Sequence, residues 1–258
     1  MQGQGGIKLQ ADRILSVRTD RTVYLCGDIV SKVYPRGEKA GAVFAEAANL
    51  ASAADGGLNV PELVTVRKQE LHWIIETAYA EGKTLKQLMA EAPDSDDRLL
   101  DDMAELMDAL HRSTAVFSGR LTDRLAKDIR TAGLESGIET RLLSFLNALP
   151  KGDAPCHCDF VPENLIRTDR GKICILDWEE AAMGNPLADA AFTCLRLILE
   201  GKNKDAEIWL KAFCTVSRCL AERVEEWFPV CAAALCHTCL APCRSEEYRI
   251  LSGFFAGI

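Results

Sequence analysis

The residues with the types and spacing to do chemistry are densest in one segment, Cys156-His157-Cys158-Asp159-Phe160-Val161-Pro162-Glu163-Asn164. Its His-x-Asp, with an asparagine five positions after the aspartate, is the spacing used where a phosphoryl group moves to a hydroxyl. The aspartate is needed to orient the accepting hydroxyl and take its proton as the new P–O bond forms. The amide can turn its oxygen to a cation that bridges the phosphates. An apolar stretch, 173–176, then delivers Asp177. Asn164 and Asp177 together would give Mg²⁺ two oxygen ligands, with waters and phosphate oxygens completing the octahedron. The plainer reading makes Asp177 a turn residue at a strand end and His157 a core histidine.

A second pair lies near the start of the chain. A strand over 29–34 puts Val30, Lys32 and Tyr34 on one face. A helix over 38–54 carries the apolar stripe Val43, Ala47, Leu50, Ala51 and Ala54, and Glu46 falls inside it. A carboxylate on a buried face needs a partner. Lys32 is the nearest candidate, and the pair would aim an ammonium at the α- and β-phosphates of ATP. A solvated lysine and a helix-edge glutamate are the bland alternative. Residues 16–22 lie where backbone N–H groups would cover phosphates, with Arg18 or Arg21 adding charge, but they contain no glycine. A plain solvated hairpin fits them equally well.

The elements that must position these groups fall into two kinds. Residues 23–26 and 29–34 are β-rich and separated by the hairpin signal Gly27-Asp28. Two more strands are expected at 63–66 and 71–76, joined by polar residues 67–70. The 38–54 helix lies between the pairs, stopped by Asp55-Gly56-Gly57. After Gly82 long helices dominate: 99–117, 139–149, and the chain from Leu187 onward, where Asn185-Pro186 reads as an N-cap and first-turn proline. Short strands at 165–167 and 173–176 interrupt them. The expected fold class is α+β, with a β-rich lobe over residues 1–77 and a larger, mainly helical lobe over 78–258.

Composition sets outer limits. With 258 residues, 48% hydrophobic and 26% charged, the chain can bury a sizeable core. Its 30 basic and 38 acidic side chains leave a net charge of −8, which argues against nucleic-acid binding and suits a cationic small molecule. The first residues lack a signal-peptide pattern and no apolar run reaches membrane-span length, so a soluble, cytoplasmic protein without a membrane partner is expected. The oligomeric state stays open. Eleven cysteines, an odd number, read as reduced thiols rather than a disulfide scaffold. Cys236, His237, Cys239 and Cys243 contain a C-x-x-C, so a metal module is the alternative there, weighed against cysteines packed as small hydrophobes.

C-H-C-D-F-V-P-E-N-L-I, followed by I-L-D-W-E-E-A-A-M-G-N-P-L-A-D-A-A, resembles the aminoglycoside phosphotransferase and choline kinase family of small-molecule kinases. The likeness is dense over 157–191, weaker over 23–85 and slight in the last helices. It implies a protein-kinase-like two-lobed fold and transfer of the γ-phosphoryl of ATP to a hydroxyl of a small, often cationic molecule. By that likeness Asp159 is the base, His157 braces its loop, Asn164 and Asp177 hold Mg²⁺, and Lys32 and Glu46 form the phosphate-facing pair. Asp189 would be a buried support behind the loop. Residues 74–78 and 81–85 resemble the lobe connector, where the Glu76 carbonyl and Ala78 amide are expected to face adenine and Thr84 to cap a helix.

The family usually has Gly or Asn where Cys158 stands. A small side chain is tolerated there, so the change reads as drift; a thiol beside the base that makes the enzyme sensitive to oxidation is the alternative, which alkylation tests. The acceptor is less defined. Glu179 and Glu180, just after the metal aspartate, are better placed to meet a cationic acceptor than Glu222, Glu225, Glu226, Trp227, Glu246, Glu247 or Tyr248. Glu180 stands where choline kinases carry an aromatic residue, which speaks against choline. Aminoglycosides, sugars, amino alcohols and thiamine stay open, as does a catalytically inactive, nucleotide-binding relative.

Overall fold

The computed structural model describes residues 12–17, 21–92, 96–239 and 246–258. Its first part is an antiparallel sheet of β1 (Arg13–Val17), β2 (Thr22–Cys26), β3 (Ile29–Val33), β4 (Leu63–Gln69) and β5 (His72–Ala78), in the order β1-β2-β3-β5-β4. Gly27 takes φ +59° at the first position of the two-residue turn joining β2 and β3, a conformation that needs no Cβ. The polar residues expected to link the last two strands instead extend β4, with Glu70-Leu71 making the turn. Arg67 explains this, because its guanidinium reaches across the ladder to Glu76 at 2.7 Å.

Helix α1 (Ala40–Asp55) runs between β3 and β4 and contributes to two cores. Val43 and Ala47 join Tyr34 and Ile75 in a small cluster against the sheet, while Leu50 and Ala53 enter the large core. The buried stripe ends on Ala53 rather than Ala54 and includes Asn49. The Asn49 Nδ2 donates to the carbonyls of Trp178 (3.2 Å) and Ala181 (3.1 Å), and its Oδ1 accepts from the N–H (2.9 Å) and hydroxyl (3.1 Å) of Ser118. One buried amide therefore joins the helix that carries Glu46 to the segment that follows Asp177.

The helical part contains β6 (Lys83–Thr84), α2 (Leu85–Glu91), α3 (Asp96–His111), α4 (Leu121–Thr131) and α5 (Ser136–Ala148). Thr84 caps α2 in a reciprocal capping box with Gln87. The helix expected over 99–117 ends at His111, and Phe117 packs its ring 5.4 Å from Trp178. Next come β7 (Ala154–Cys156), β8 (Leu165–Arg167), β9 (Ile173–Ile175) and β10 (Ala182–Gly184), forming the small sheets β6-β8-β9 and β10-β7. The chain continues with α6 (Pro186–Leu199), α7 (Asn203–Ser217), α8 (Ala221–Glu225), α9 (Phe228–Leu235) and α10 (Glu246–Gly253). Asn185 caps α6, accepting from Leu187 N–H at 2.9 Å. No helix among the described residues is long and apolar enough to cross a membrane.

Replacing Asn49 by alanine strands two carbonyls and an N–H in a buried site. The expected loss is about 2–3 kcal/mol of unfolding free energy, read from urea titration. A loss below about 0.5 kcal/mol would show that water replaces the amide at no cost.

Candidate active site

A cavity of roughly 600 Å³ lies between the sheet and the helical part, walled by Val30, Lys32 and Thr77 on one side and Asn164, Asp177 and Trp178 on the other. The alternation of β3 turns Val30 and Lys32 toward it. The Lys32 ammonium sits 2.6 Å from Glu46 Oε1, 2.8 Å from Asp177 Oδ1 and 3.6 Å from Glu179 Oε2. The second oxygen of Glu46 accepts from the Tyr34 hydroxyl. Burial, and next the Glu46 carboxylate, push the Tyr34 hydroxyl upward, so it stays protonated and donates. The structure thus brings together Lys32, Glu46 and Asp177 from three separate segments.

The loop between β7 and β8 is held from behind. Asp189 on α6 is fully buried and accepts from the main-chain N–H groups of His157 (2.8 Å) and Cys158 (2.7 Å) and from His111 Nε2 (3.0 Å). The His157 Nδ1 accepts from Asp159 N–H at 3.2 Å, which leaves Nε2 to donate to the Leu176 carbonyl at 2.9 Å. His157 is itself buried, and it ties the loop to the residue preceding Asp177. The Asn164 Nδ2 donates to both the main-chain oxygen and Oδ2 of Asp159, each at 2.9 Å. With both amide hydrogens spent there, Oδ1 is the end of Asn164 left to serve as a ligand. The donor set of Asn164 and Asp177, with Glu179 nearby, is all oxygen, which fits a hard cation such as Mg²⁺.

Asp177 (φ +60°) and Cys158 (φ +66°) both adopt left-handed backbone. Aspartate tolerates that region, whereas cysteine adopts it at a cost of about 1–2 kcal/mol. The conformation also explains why glycine or asparagine suits the Cys158 position in the resembling family. The Cys158 thiol is completely buried beside the Arg124 guanidinium, and burial pushes it upward despite that charge. The burial speaks against the alternative of an oxidation-sensitive thiol and suits the reading of Cys158 as a tolerated small side chain.

Other expected residues are placed differently. Ile75 and Thr77 line the cavity; Glu76, expected there through its main-chain carbonyl, turns its side chain to the opposite face of the sheet, bonded to Arg67 and, at 3.3 Å, to Ser31. The Ala78 N–H donates to the Glu62 carbonyl at 2.9 Å and is not available to a base edge. The segment beyond it, through Tyr79 and Ala80, runs along the cavity. Glu179 and Glu180 part company. Glu179 pairs with Arg21 and approaches Lys32. Glu180 accepts from Arg124 Nη1 at 2.8 Å. Trp227 is fully buried and offers no exposed aromatic face. Residues 18–20 of the loop expected to cover phosphates, Cys243 and the Cys239 side chain lie outside the described residues. His237 has its Nδ1 2.8 Å from the Ala234 carbonyl.

Several contacts have no counterpart in sequence reasoning. Arg196 on α6 puts Nε 2.8 Å from Asp159 Oδ1, so both carboxylate oxygens of Asp159 are engaged. Arg196 falls one turn before the end of a largely apolar helix, and only the fold brings it to residue 159. Asn49, Arg124 and His111 are likewise polar groups on apolar helix faces. That signal would have marked them as buried, without naming their partners.

The chain belongs to the phosphotransferase enzyme family, whose model matches residues 12–223. It is a small-molecule phosphotransferase on the protein-kinase-like fold. No curated protein matches the sequence. A solved choline/ethanolamine kinase family protein from Mesorhizobium loti aligns with TM-score 0.64 and 23% identity, covering 98% of this chain and 87% of its own. The aminoglycoside phosphotransferase APH(4)-Ia, solved as a ternary complex with ADP and hygromycin B, aligns with TM-score 0.71 and 16% identity, covering 95% and 91%. The choline kinase LicA from Streptococcus pneumoniae gives 0.66 and 17%, covering 95% and 94%.

Two measurements check this geometry. Iodoacetamide should leave Cys158 of the native protein unlabelled and phosphotransfer intact, with labelling only after unfolding; rapid native labelling would contradict its burial. The second concerns Asp189. Burial raises its carboxyl, but the hydrogen bond and charge of His111, then the charge and main-chain N–H of His157, outweigh this and hold it below the usual range. A carboxyl depressed in the folded state stabilises above its unfolded value, about 3.9, and that stability disappears as pH falls through the folded value. The Asp189→Asn variant should accordingly be less stable at pH 7 and lose less stability than wild type below about pH 4. Parallel pH–stability curves would refute the assignment.

Proposed function

We propose that this phosphotransferase moves the γ-phosphoryl group of ATP to a hydroxyl of a small molecule, with Asp159 as base, Asn164 and Asp177 as Mg²⁺ ligands, and Lys32 on the nucleotide phosphates. The observation that carries the reading is the convergence of Lys32, Glu46 and Asp177 in the cavity that Asn164 also lines. Bound Mg²⁺ would supply charge neutralisation across the phosphates. Lys32, fixed by Glu46, would hold the α- and β-phosphates, and Glu179 is near enough to Asp177 to assist the metal. Asp159, oriented by Asn164 and Arg196, would align the acceptor hydroxyl and receive its proton. His157 acts by positioning, since its ring bonds the loop and the segment before Asp177 rather than facing the cavity. With the transferring group loosely bonded in the transition state, alignment and charge carry the rate.

Residues 1–77 would grip the nucleotide and 78–258 the acceptor, with the backbone around Ala78 to Ala80, rather than the Ala78 amide, meeting the adenine. The cysteines from Cys26 to Cys231 are unbridged thiols, which suits a reducing cytoplasmic setting.

In an ATP-consumption screen over aminoglycosides, choline, ethanolamine, thiamine and amino sugars, at least one acceptor should drive turnover. With that acceptor, Asp159→Ala should lower kcat by about 10³-fold or more while the Kd for ATP changes by less than about threefold. Near-normal transfer by the variant would sink the assignment of the base.

A further inference from the structure

The end of α7 is finished by a left-handed residue, Arg218 (φ +53°). The N–H groups of Arg218 and Cys219 both turn back to the Cys214 carbonyl, the latter at 3.1 Å. A helix closed this way presses the side chain just past its end against one in its last turn. Here both are cysteines, and their sulfurs lie 3.7 Å apart. Each is only half-buried, and both line an open groove with Glu207, Leu210, Lys211 and Ala221.

The other described cysteines differ. Cys156, Cys158, Cys174, Cys194, Cys231 and Cys236 are buried, packing as small hydrophobes. Cys26 is half-buried on β2, at the opposite end of the chain. Packing alone does not account for two partly exposed thiols held in contact by a main-chain turn that fixes their separation.

We propose that Cys214 and Cys219 form a modification site, a dithiol that closes to an intrachain disulfide by exchange with a low-molecular-weight disulfide of the glutathione type. The Cys219 sulfur attacks one sulfur of the reagent. Its S–H proton leaves with the expelled thiol, and a mixed disulfide remains on Cys219. The Cys214 sulfur then attacks the Cys219 sulfur and expels the second small thiol, which carries off the Cys214 proton. Two protein thiols are oxidised to one disulfide, and one reagent disulfide is reduced to two thiols. The order follows from the surroundings. Burial, the contact with Cys219, and the acidic Glu222 and Glu225 push the Cys214 thiol up to about 12, which makes it the poorer first attacker; once Cys219 carries the mixed disulfide, the thiol contact that helped raise Cys214 is gone. The second step is intramolecular, so it outruns a second encounter with reagent.

Trypsin cleaves after Lys211, Arg218 and Arg223, which places the two cysteines in separate peptides, 212–218 and 219–223, each with a single cysteine. The native protein is incubated with glutathione disulfide, quenched in acid, blocked with N-ethylmaleimide under denaturing conditions and digested. The expected product is the two peptides joined by a disulfide, outnumbering the 219–223 peptide bearing glutathione by about tenfold or more. In Cys219→Ser the 212–218 peptide should carry no cross-link. Wild-type peptides recovered singly, whether blocked or each bearing glutathione, would overturn the proposal. So would a cross-link that forms only after unfolding in urea. The decisive readout is on the wild-type chain and does not depend on the variant folding.

Discussion

The ammonium of Lys32 is the contact on which the site depends. It lies almost out of water, 13% exposed, between carboxylates that are themselves largely covered. Charges in that setting gain little over a well-packed apolar core, but removing one partner leaves the others uncompensated and is costly. Glu46 is on α1, Asp177 follows β9, and Lys32 is on β3. The cluster therefore joins helix, sheet and the helical part of the molecule at one point. Tyr34 completes it by occupying the Glu46 oxygen that Lys32 does not use.

A lysine reaching across a cleft would not hold two regions in register alone. Helix α1 supplies the rest. Its first half packs on the sheet and its second half in the large core, and Asn49 lies one turn beyond Glu46. Two of the four hydrogen bonds of Asn49 fix Trp178 and Ala181, on either side of the turn that follows Asp177, and the other two hold Ser118. On the opposite side, Asp189 fixes the loop of Asp159 through two main-chain N–H groups, and His157 links that loop to Leu176. Asp159 and Asp177 are thus placed by separate buried anchors, each fully hydrogen-bonded, and the left-handed backbone at Cys158 and Asp177 is held by them.

How far this was legible in the sequence depended on the range of the physics involved. Periodicity placed Lys32 on the cavity face of a strand and Glu46 on the buried face of a helix, because both are local properties and a buried carboxylate requires a cation. Gly27, Thr84 and Asn185 announced a turn and two caps through the same short-range logic. Local signals failed where a partner across the fold decided the outcome. Residues 67–69 look like a polar connector until Arg67 finds Glu76, and α3 stops at His111 because Phe117 is needed against Trp178. Arg196 carries no local mark at all, since its contact with Asp159 joins residues from different elements. Glu179 and Glu180 were adjacent and seemed equivalent, yet successive side chains diverge and each met a different arginine.

That divergence bears on the acceptor. The two acids expected to meet a cationic acceptor are both engaged by arginines, Glu179 by Arg21 and Glu180 by Arg124. The charged group nearest Asp159 is a guanidinium, that of Arg196. An amino alcohol with its ammonium two carbons from the reacting hydroxyl would bring that charge close to Arg196, and at such range like charges repel even after partial screening. On the proposed role of Asp159 as base, any cation flanking the reacting hydroxyl would meet this guanidinium. Glu163 and Glu200, in turn, already share Lys86. The acids and bases around Asp159 and Asp177 are thus paired within the protein, and the net charge of −8 of the whole chain says little about the charge left open at this site.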